Sequence, residues 1–470
     1  MISDLLSRIR AKQIAVEGIC SDSRNIKKNF VFFAIRGAKY DGNKYIDEVL
    51  KKKPSAIITS EKKTYKTNIP IITVNDVRKE YASVVYNFYS HKINSKIAVT
   101  GTNGKTSVVF FINSILNKLK NKCGVIGTLG SNFKNIQTNL TTPDSLHIAQ
   151  LLHKFYKNNY DTVAMEASSH ALDQARLYGL TYDILALTNI SHDHLDYHKN
   201  LNNYINAKLK LFTQNAKLNG ISIISKDTQY YEIISKKLKS RKIKYLTFGS
   251  KKADFQIKEM SRTNSKVKMQ LKHAYKSYTF QFNNLPNYQI KNYLLAVSIV
   301  FKLGYEFNKI KSLSSNIPSV PGRMELVGIK KNKAKVFVDF AHTPDALENV
   351  LKEAKQMSRG KLHVVFGCGG DRDKKKRLLM GKIACKYADS IIVTDDNPRN
   401  ENPQSIRDQI INNSEQMIEI PDRKKAIKYA ANNLLSQDIL IIAGKGHEKY
   451  QVIKNKFLPF DDVKISKKYI

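Results

Sequence analysis

Ile97-Ala98-Val99-Thr100-Gly101-Thr102-Asn103-Gly104-Lys105-Thr106 joins a short apolar, β-branched run to a loop bracketed by glycines. The period changes after it: Val108, Phe111, Ile112, Ile115, Leu116 and Leu119 recur at helical spacing. A strand, a glycine loop and a helix in that order let backbone N–H groups wrap a phosphate at the helix N-terminus. Gly101, Thr102, Asn103, Gly104, Lys105, Thr106 and Ser107 are therefore the candidate nucleotide cradle. Lys105 would neutralise the β/γ-phosphate oxygens, and the Thr106 hydroxyl would reach Mg²⁺. The usual phosphate-loop pattern has glycine five positions before Gly104, where Val99 stands, so the loop is a compressed version.

The strand–loop–helix rhythm extends outward from this segment. Strands are expected at 162–165, 184–188 and 221–225 with helical stretches between them, the pattern of a parallel sheet covered by helices. Two prolines and a glycine within 318–322 mark a boundary and a hinge. Beyond it, runs at 336–339, 363–366, 390–394 and 439–442 each end in a loop rich in Gly, Asp, His or Pro. That is a second open α/β sheet, which binds ligands at its strand C-terminal ends. Before the loop, short strands at 31–35, 56–59 and 71–74 alternate with turns such as Asp41-Gly42. The expectation is an α/β chain of three domains: 1–92, a central parallel sheet carrying the phosphate loop at 93–320, and a second open α/β sheet at 321–470. A length of 470 residues agrees with it at ~150 residues per domain.

Composition excludes several classes. At 42% hydrophobic and 25% charged residues the chain can build cores and is not mainly disordered. No run approaches the ~18 apolar residues of a membrane helix, and Asp4, Arg8, Arg10 and Lys12 interrupt any secretory apolar region, so no membrane insertion is expected. Cys20, Cys123, Cys368 and Cys385 are widely spaced without a zinc pattern, which reads as reduced thiols in a cytoplasmic protein. The net charge of +39 invites a nucleic-acid reading. Its basic residues are spread along the whole chain among many Asn and Ile, so a solvated basic surface is the reading adopted, with no nucleic-acid partner.

Two further clusters bear on chemistry. Glu166 closes an expected strand in Met165-Glu166-Ala167-Ser168-Ser169-His170, where a carboxylate can serve a hard cation. His192, His194 and His198 fall within seven residues, but no cysteine lies nearby, so one histidine on Mg²⁺ is preferred to a zinc cage.

With these residues in hand the chain resembles the Mur ligases, the ATP-dependent amide ligases that assemble the peptidoglycan stem peptide. The resemblance runs nearly end to end through Ser21-Asp22-Ser23-Arg24, the 101–106 loop, 166–176, 193–197, Pro321-Gly322-Arg323-Met324-Glu325, 339–345, 367–377, Asp396-Asn397-Pro398-Arg399 and Gly444-Lys445-Gly446-His447-Glu448. Its C-terminal set is most similar to members that add meso-diaminopimelate. It implies an N-terminal domain holding UDP, a central P-loop ATPase with a parallel sheet and a C-terminal Rossmann-like domain holding the amino acid. Ser23 would then touch uridine, and Thr141, Thr142, Ser168, Gln174 and Arg176 the UDP-MurNAc-L-Ala-D-Glu substrate. Thr106, Glu166 and His194 would serve magnesium, together with Lys208 once carbamylated. Lys105, Lys208 and His194 form the implied catalytic set, and Asn292, Arg323 and Asp339 match ATP-contacting positions. Arg372, Asp396, Asn397, Pro398, Arg399, Gly444 and Glu448 match those that hold meso-diaminopimelate.

The implied activity is amide formation through an acyl phosphate, in a monomer. His342, in a loop after a strand, is a candidate base for the attacking amine by residue type. The chain departs from the family at 286–292 (Pro-Asn-Tyr-Gln-Ile-Lys-Asn), at Ala38-Lys39-Tyr40, at Lys375 where glycine is usual and at Asn402 where aspartate is usual. Folylpolyglutamate synthases share the compressed loop and the lysine, but the 21–24 and 396–399 motifs argue against that reading.

Overall fold

The computed structural model describes residues 15–37, 40–133, 140–191, 193–263, 266–283, 285–314 and 317–470, apart from the side chains of Asp196 and Arg262. The charged residues Asp4, Arg8, Arg10 and Lys12, as well as Ala38, Lys39 and His192, lie outside the described residues. The chain forms two compact units. The first holds the described residues up to Ile257 with Lys272–Ser277 and Leu295–Ile310; the second holds those of Lys258–Leu271, Tyr278–Leu294 and Lys311–Ile470.

In the first unit, Gly18–Cys20, Phe30–Phe33, Ala56–Thr59 and Ile71–Thr73 make a parallel four-stranded sheet in chain order. The nucleotide-loop strand, Ser95–Thr100, sits inside a second sheet between Thr162–Glu166 and Tyr182–Leu187, parallel to both. Cys123–Gly127 continues the sheet on one side and Ala216–Ser225 with Leu246–Gly249 on the other, all parallel. Such strands are covered on both faces and read as continuous apolar runs rather than alternating ones. Accordingly 97–100 and 162–166 are buried without interruption. The helix Lys105–Lys118 buries Val108, Phe111, Ile112, Ile115 and Leu116, the stripe that the sequence spacing marks.

The sheet of the second unit runs Glu325–Ile329, Lys335–Asp339, Ile439–Ala443, Leu362–Phe366, Ser390–Val393, Met417–Glu419, and only the first pair is antiparallel. Ile439–Ala443 lies between Lys335–Asp339 and Leu362–Phe366, so the order reverses there and the loops after these strands gather at one edge. That is the position at which open α/β sheets bind ligands.

Beneath that edge Arg423 and Asp462, both fully buried, form a two-pronged ion pair with bonds of 2.8 and 2.7 Å. Arg423 also donates to the carbonyl of Ala443 at 3.0 Å, at the end of a central strand. Removing one member of such a pair strands a charge in the interior. Asp462→Ala is therefore expected to lose ~3–5 kcal/mol of stability in denaturant unfolding, while Arg423→Met with Asp462→Leu recovers most of it.

Candidate active site

The nucleotide loop is shaped by its own backbone and by the next strand's loop. Gly104 adopts φ of +85°, which favours glycine and lets the helix start directly at Lys105. A Cβ on Gly101 would overlap the Thr188 hydroxyl. Thr188 Oγ1 and Asn189 Nδ2 donate to the Asn103 carbonyl at 2.6 and 3.1 Å, Asn103 N donates back to Asn189 Oδ1 at 3.0 Å, and Thr102 N donates to the Asn189 carbonyl at 2.8 Å. The Thr102 hydroxyl lies 2.9 Å from that of Tyr204. Thr188, Asn189 and Tyr204 thus brace the loop; nothing in their local sequence pattern marks them.

At the helix start, Thr106 Oγ1 donates to Glu166 Oε2 at 2.9 Å. Thr128 donates to the same carboxylate from its N at 2.7 Å and its hydroxyl at 3.2 Å. Gly127 allows this approach, since a Cβ there would overlap Glu166 Oε1. A hydroxyl and a carboxylate side by side under a phosphate loop make a hard-oxygen set suited to Mg²⁺.

Lys105 Nζ donates to the carbonyls of Gly101 and Thr102, each at 2.8 Å. Lys208, 1% exposed on the helix Leu201–Gln214, donates to the same Gly101 carbonyl at 2.8 Å and lies over the Tyr204 ring. Burial, then the neighbouring Lys105, hold the Lys208 ammonium well below the usual lysine range, with Asp193 opposing. The side chain is thus biased towards the neutral amine. His194 adopts φ of +53° at the head of a short turn, with Nε2 3.4 Å from Asp193 Oδ2 and its ring 4.6 Å from that of His170.

The expected substrate residues of this unit form a chain of contacts. Thr128 Oγ1 lies 3.2 Å from Thr141 Oγ1, and Thr142 Oγ1 donates to the Glu166 carbonyl at 2.8 Å while accepting from Ser168 N. Ser168 caps the Ser169–Asp173 helix. Arg176 donates to the Thr142 carbonyl at 2.7 Å and grips Gln174 Oε1 through two nitrogens. Gln174 in turn donates to the Tyr197 hydroxyl. Ser23 opens the Ser23–Asn25 turn, capped by Asp22, and Lys52 donates to its carbonyl at 3.0 Å. The hydrogen bond from Arg24 holds the Asp22 carboxyl below the usual range.

The remaining expected residues lie in the second unit. Asp339, at the end of its strand, accepts from Met324 N at 2.6 Å and Ala341 N at 2.7 Å. Burial pushes its carboxyl up to about 6 against the pull of Arg323. Arg323 covers the Phe340 ring, and its carbonyl accepts from Gln289 Nε2 at 3.0 Å. Asn292 Nδ2 reaches Gln289 Oε1 at 3.5 Å. Tyr288, inside the altered 286–292 segment, directs its hydroxyl to Asp339 at 3.5 Å. His342 Nδ1 faces the Phe340 carbonyl at 2.8 Å and must donate to it, which leaves Nε2 as the lone-pair nitrogen of the neutral ring.

The loops after Leu362–Phe366, Ser390–Val393 and Ile439–Ala443 interlock. Arg399 donates to the Gly370 carbonyl at 2.7 Å. Asn397 Nδ2 donates to Glu448 Oε2 at 2.9 Å. A Cβ on Gly444, at φ of +113°, would stand 2.5 Å from Asp396 Oδ2. Asp396, Asn397 and Pro398 are buried, while Arg372 is exposed on its loop.

Residues 99–300 match the Mur ligase middle domain, and residues 322–446 match the Mur ligase glutamate ligase domain. The chain belongs to the Mur ligase family. It is 43% identical over 464 residues to a UDP-N-acetylmuramoyl-L-alanyl-D-glutamate–2,6-diaminopimelate ligase of Rickettsia bellii, covering 96% of this chain and 95% of that one. The ligase of that name from Caldanaerobacter subterraneus is 36% identical, covering 97% and 95%. A solved structure of a ligase so named superposes with a TM-score of 0.70 at 31% identity, covering 97% of this chain and 94% of that one. At 19% identity, a MurF ligase of Thermotoga maritima solved with ADP shares the fold, with a TM-score of 0.60 over 92% of this chain and 94% of that one.

Proposed function

We propose that the chain adds meso-diaminopimelate to the D-glutamyl γ-carboxylate of UDP-MurNAc-L-Ala-D-Glu at the expense of ATP, an amide ligation of peptidoglycan precursor synthesis. The observation that carries this reading is the juxtaposition of the phosphate loop, the Thr106–Glu166 oxygen pair and buried Lys208. A carboxylate oxygen attacks the γ-phosphorus and ADP leaves, giving an acyl phosphate. The amine then attacks the acyl carbon, and the tetrahedral adduct expels phosphate. Loop N–H groups and Lys105 stabilise the charge that builds on the transferring group. His342 Nε2, held ready by the Nδ1 bond, is the candidate acceptor for the amine proton.

Mg²⁺ would be held by Thr106, Glu166, His194 and carbamylated Lys208, and would offset the repulsion between anionic substrates. The neutral Lys208 amine bonds to the carbon of CO₂ and loses a proton, which turns a lysine into an anionic oxygen ligand. Ser23 would contact uridine; Thr141, Thr142, Ser168, Gln174 and Arg176 the sugar-peptide; Asn292, Arg323 and Asp339 ATP. Three functional parts, 1–92 for UDP, 93–320 for ATP and 321–470 for the amino acid, describe the division of labour. The reading includes a monomer working in the cytoplasm. Among the described residues no helix is long and apolar enough to cross a membrane.

Diaminopimelate differs from lysine by a carboxylate at its far end, which an Arg fork grips well. With Arg399 and Arg372 for carboxylate and Glu448, Asp396 and Gly444 around the far centre, phosphate release with UDP-MurNAc-L-Ala-D-Glu is expected to favour meso-diaminopimelate over L-lysine by at least ~10²-fold in kcat/KM. Arg399→Ala is expected to narrow that gap by damaging diaminopimelate use. Equal use of L-lysine by the wild-type protein would refute the specificity.

A further inference from the structure

Lys445 is fully buried, with its side chain 0% exposed, and no role has been given to it above. An ammonium withdrawn from water needs partners that replace hydration. Its Nζ donates to Asn397 Oδ1 at 2.9 Å and stands 3.4 Å from Glu448 Oε2. Asn397 Oδ1 accepts a second bond from Val452 N at 2.9 Å. Two donors on one oxygen fix which way the amide points, since its nitrogen could accept neither. Nδ2 must then face Glu448, and it donates to Oε2 at 2.9 Å. Both bonds to that carboxylate fall on Oε2. Oε1 takes no hydrogen bond from the described residues, and the Glu448 side chain remains 22% exposed.

We infer that Lys445 is a positioning and specificity residue of the amino-acid subsite. It fixes Asn397 and offsets the charge of Glu448, so that the subsite favours an amino acid whose far end is a zwitterion. The inference rests on the reading that these loops receive the incoming amino acid. The far ammonium is taken by Glu448 Oε1. With Lys445 in place, Glu448 brings no surplus negative charge, so a far carboxylate is not repelled. Without it, Glu448 would favour a far end carrying an ammonium alone, as in lysine.

The test uses Lys445→Met, which keeps the length and removes charge and donors, and Lys445→Gln, which keeps a donor for Asn397 without charge. In folded Lys445→Met, KM for meso-diaminopimelate is expected to rise ~10–100-fold, the scale of a buried polar group losing its partner. KM for ATP and for the UDP substrate stays at the wild-type value, and the preference over L-lysine narrows by a similar factor. Lys445→Gln recovers part of the KM but keeps the narrowed preference, and it carries the same test should the methionine variant fail to fold. An unchanged KM for meso-diaminopimelate in either folded variant, or an equal rise in all three KM values, overturns the inference. If the wild-type protein uses a different amino acid, the functional reading fails instead, and the same KM comparison made with that amino acid decides the role of Lys445.

Discussion

Lys105→Ala is expected to lower the ligation rate by ~10²–10³-fold, the usual effect of removing a preorganised charge from a transition state. In the structure its ammonium closes on the loop's own carbonyls, Gly101 and Thr102. It is therefore placed within the loop that would receive the phosphates. The side chain is only part-buried and packs no core, so the variant should unfold at nearly the wild-type temperature. Thr106→Ala should give a comparable loss, because it removes the hydroxyl beside Glu166. Single-turnover phosphate release, with thermal unfolding alongside, separates rate from fold. Near-normal turnover in a folded variant would remove this loop from the chemistry.

The larger effect is expected at Lys208. Two amines, Lys105 and Lys208, share the Gly101 carbonyl, and only Lys208 is deeply buried. Two adjacent cations there are unfavourable, so Lys208 is the one biased to the neutral state in which an amine reacts with CO₂. Lys208→Ala should be nearly inactive, by ~10³-fold or more if a metal-ordering anion is lost along with charge complementarity. Added short-chain carboxylates should restore part of the activity, since they return anionic oxygens to the gap. The check is activity against carboxylate concentration, with carbamate detected on the wild-type side chain in bicarbonate. An unmodified wild-type lysine under those conditions, or full activity of the alanine variant, would contradict the assignment.

The sequence made the nucleotide loop legible because three physical signals coincide over 97–119: an apolar strand, glycines where backbone must approach closely, and a helical stripe. Structure adds what has no periodicity. Thr188 and Asn189 brace the loop from the next strand end, and Thr128 holds Glu166 from the end of the adjacent strand. Such partners are distant in sequence and chemically ordinary. The strands of the second sheet were readable as apolar runs ending in functional loops. By contrast the strands Phe255–Arg262, Lys266–His273 and Lys276–Asn283 carry no continuous apolar run. Lysines and polar residues fill most of their outward positions, and short alternations of buried residues, such as Val267, Met269 and Leu271 or Phe280 and Phe282, mark the strands. The loops proposed to hold the amino acid are recognisable as motifs, yet the direction of the Asn397 amide depends on Lys445 and Val452 meeting at one oxygen. Spacing along the chain carries no such information.

The proposed ligation activates the carboxylate by phosphorylation before the amine attacks. It is tested most directly by labelling both oxygens of the D-glutamyl γ-carboxylate with oxygen-18 and following the label through one round of ligation with meso-diaminopimelate and ATP. One labelled oxygen is expected in the phosphate released and the other in the new amide. Unlabelled phosphate accompanying amide formation would contradict it.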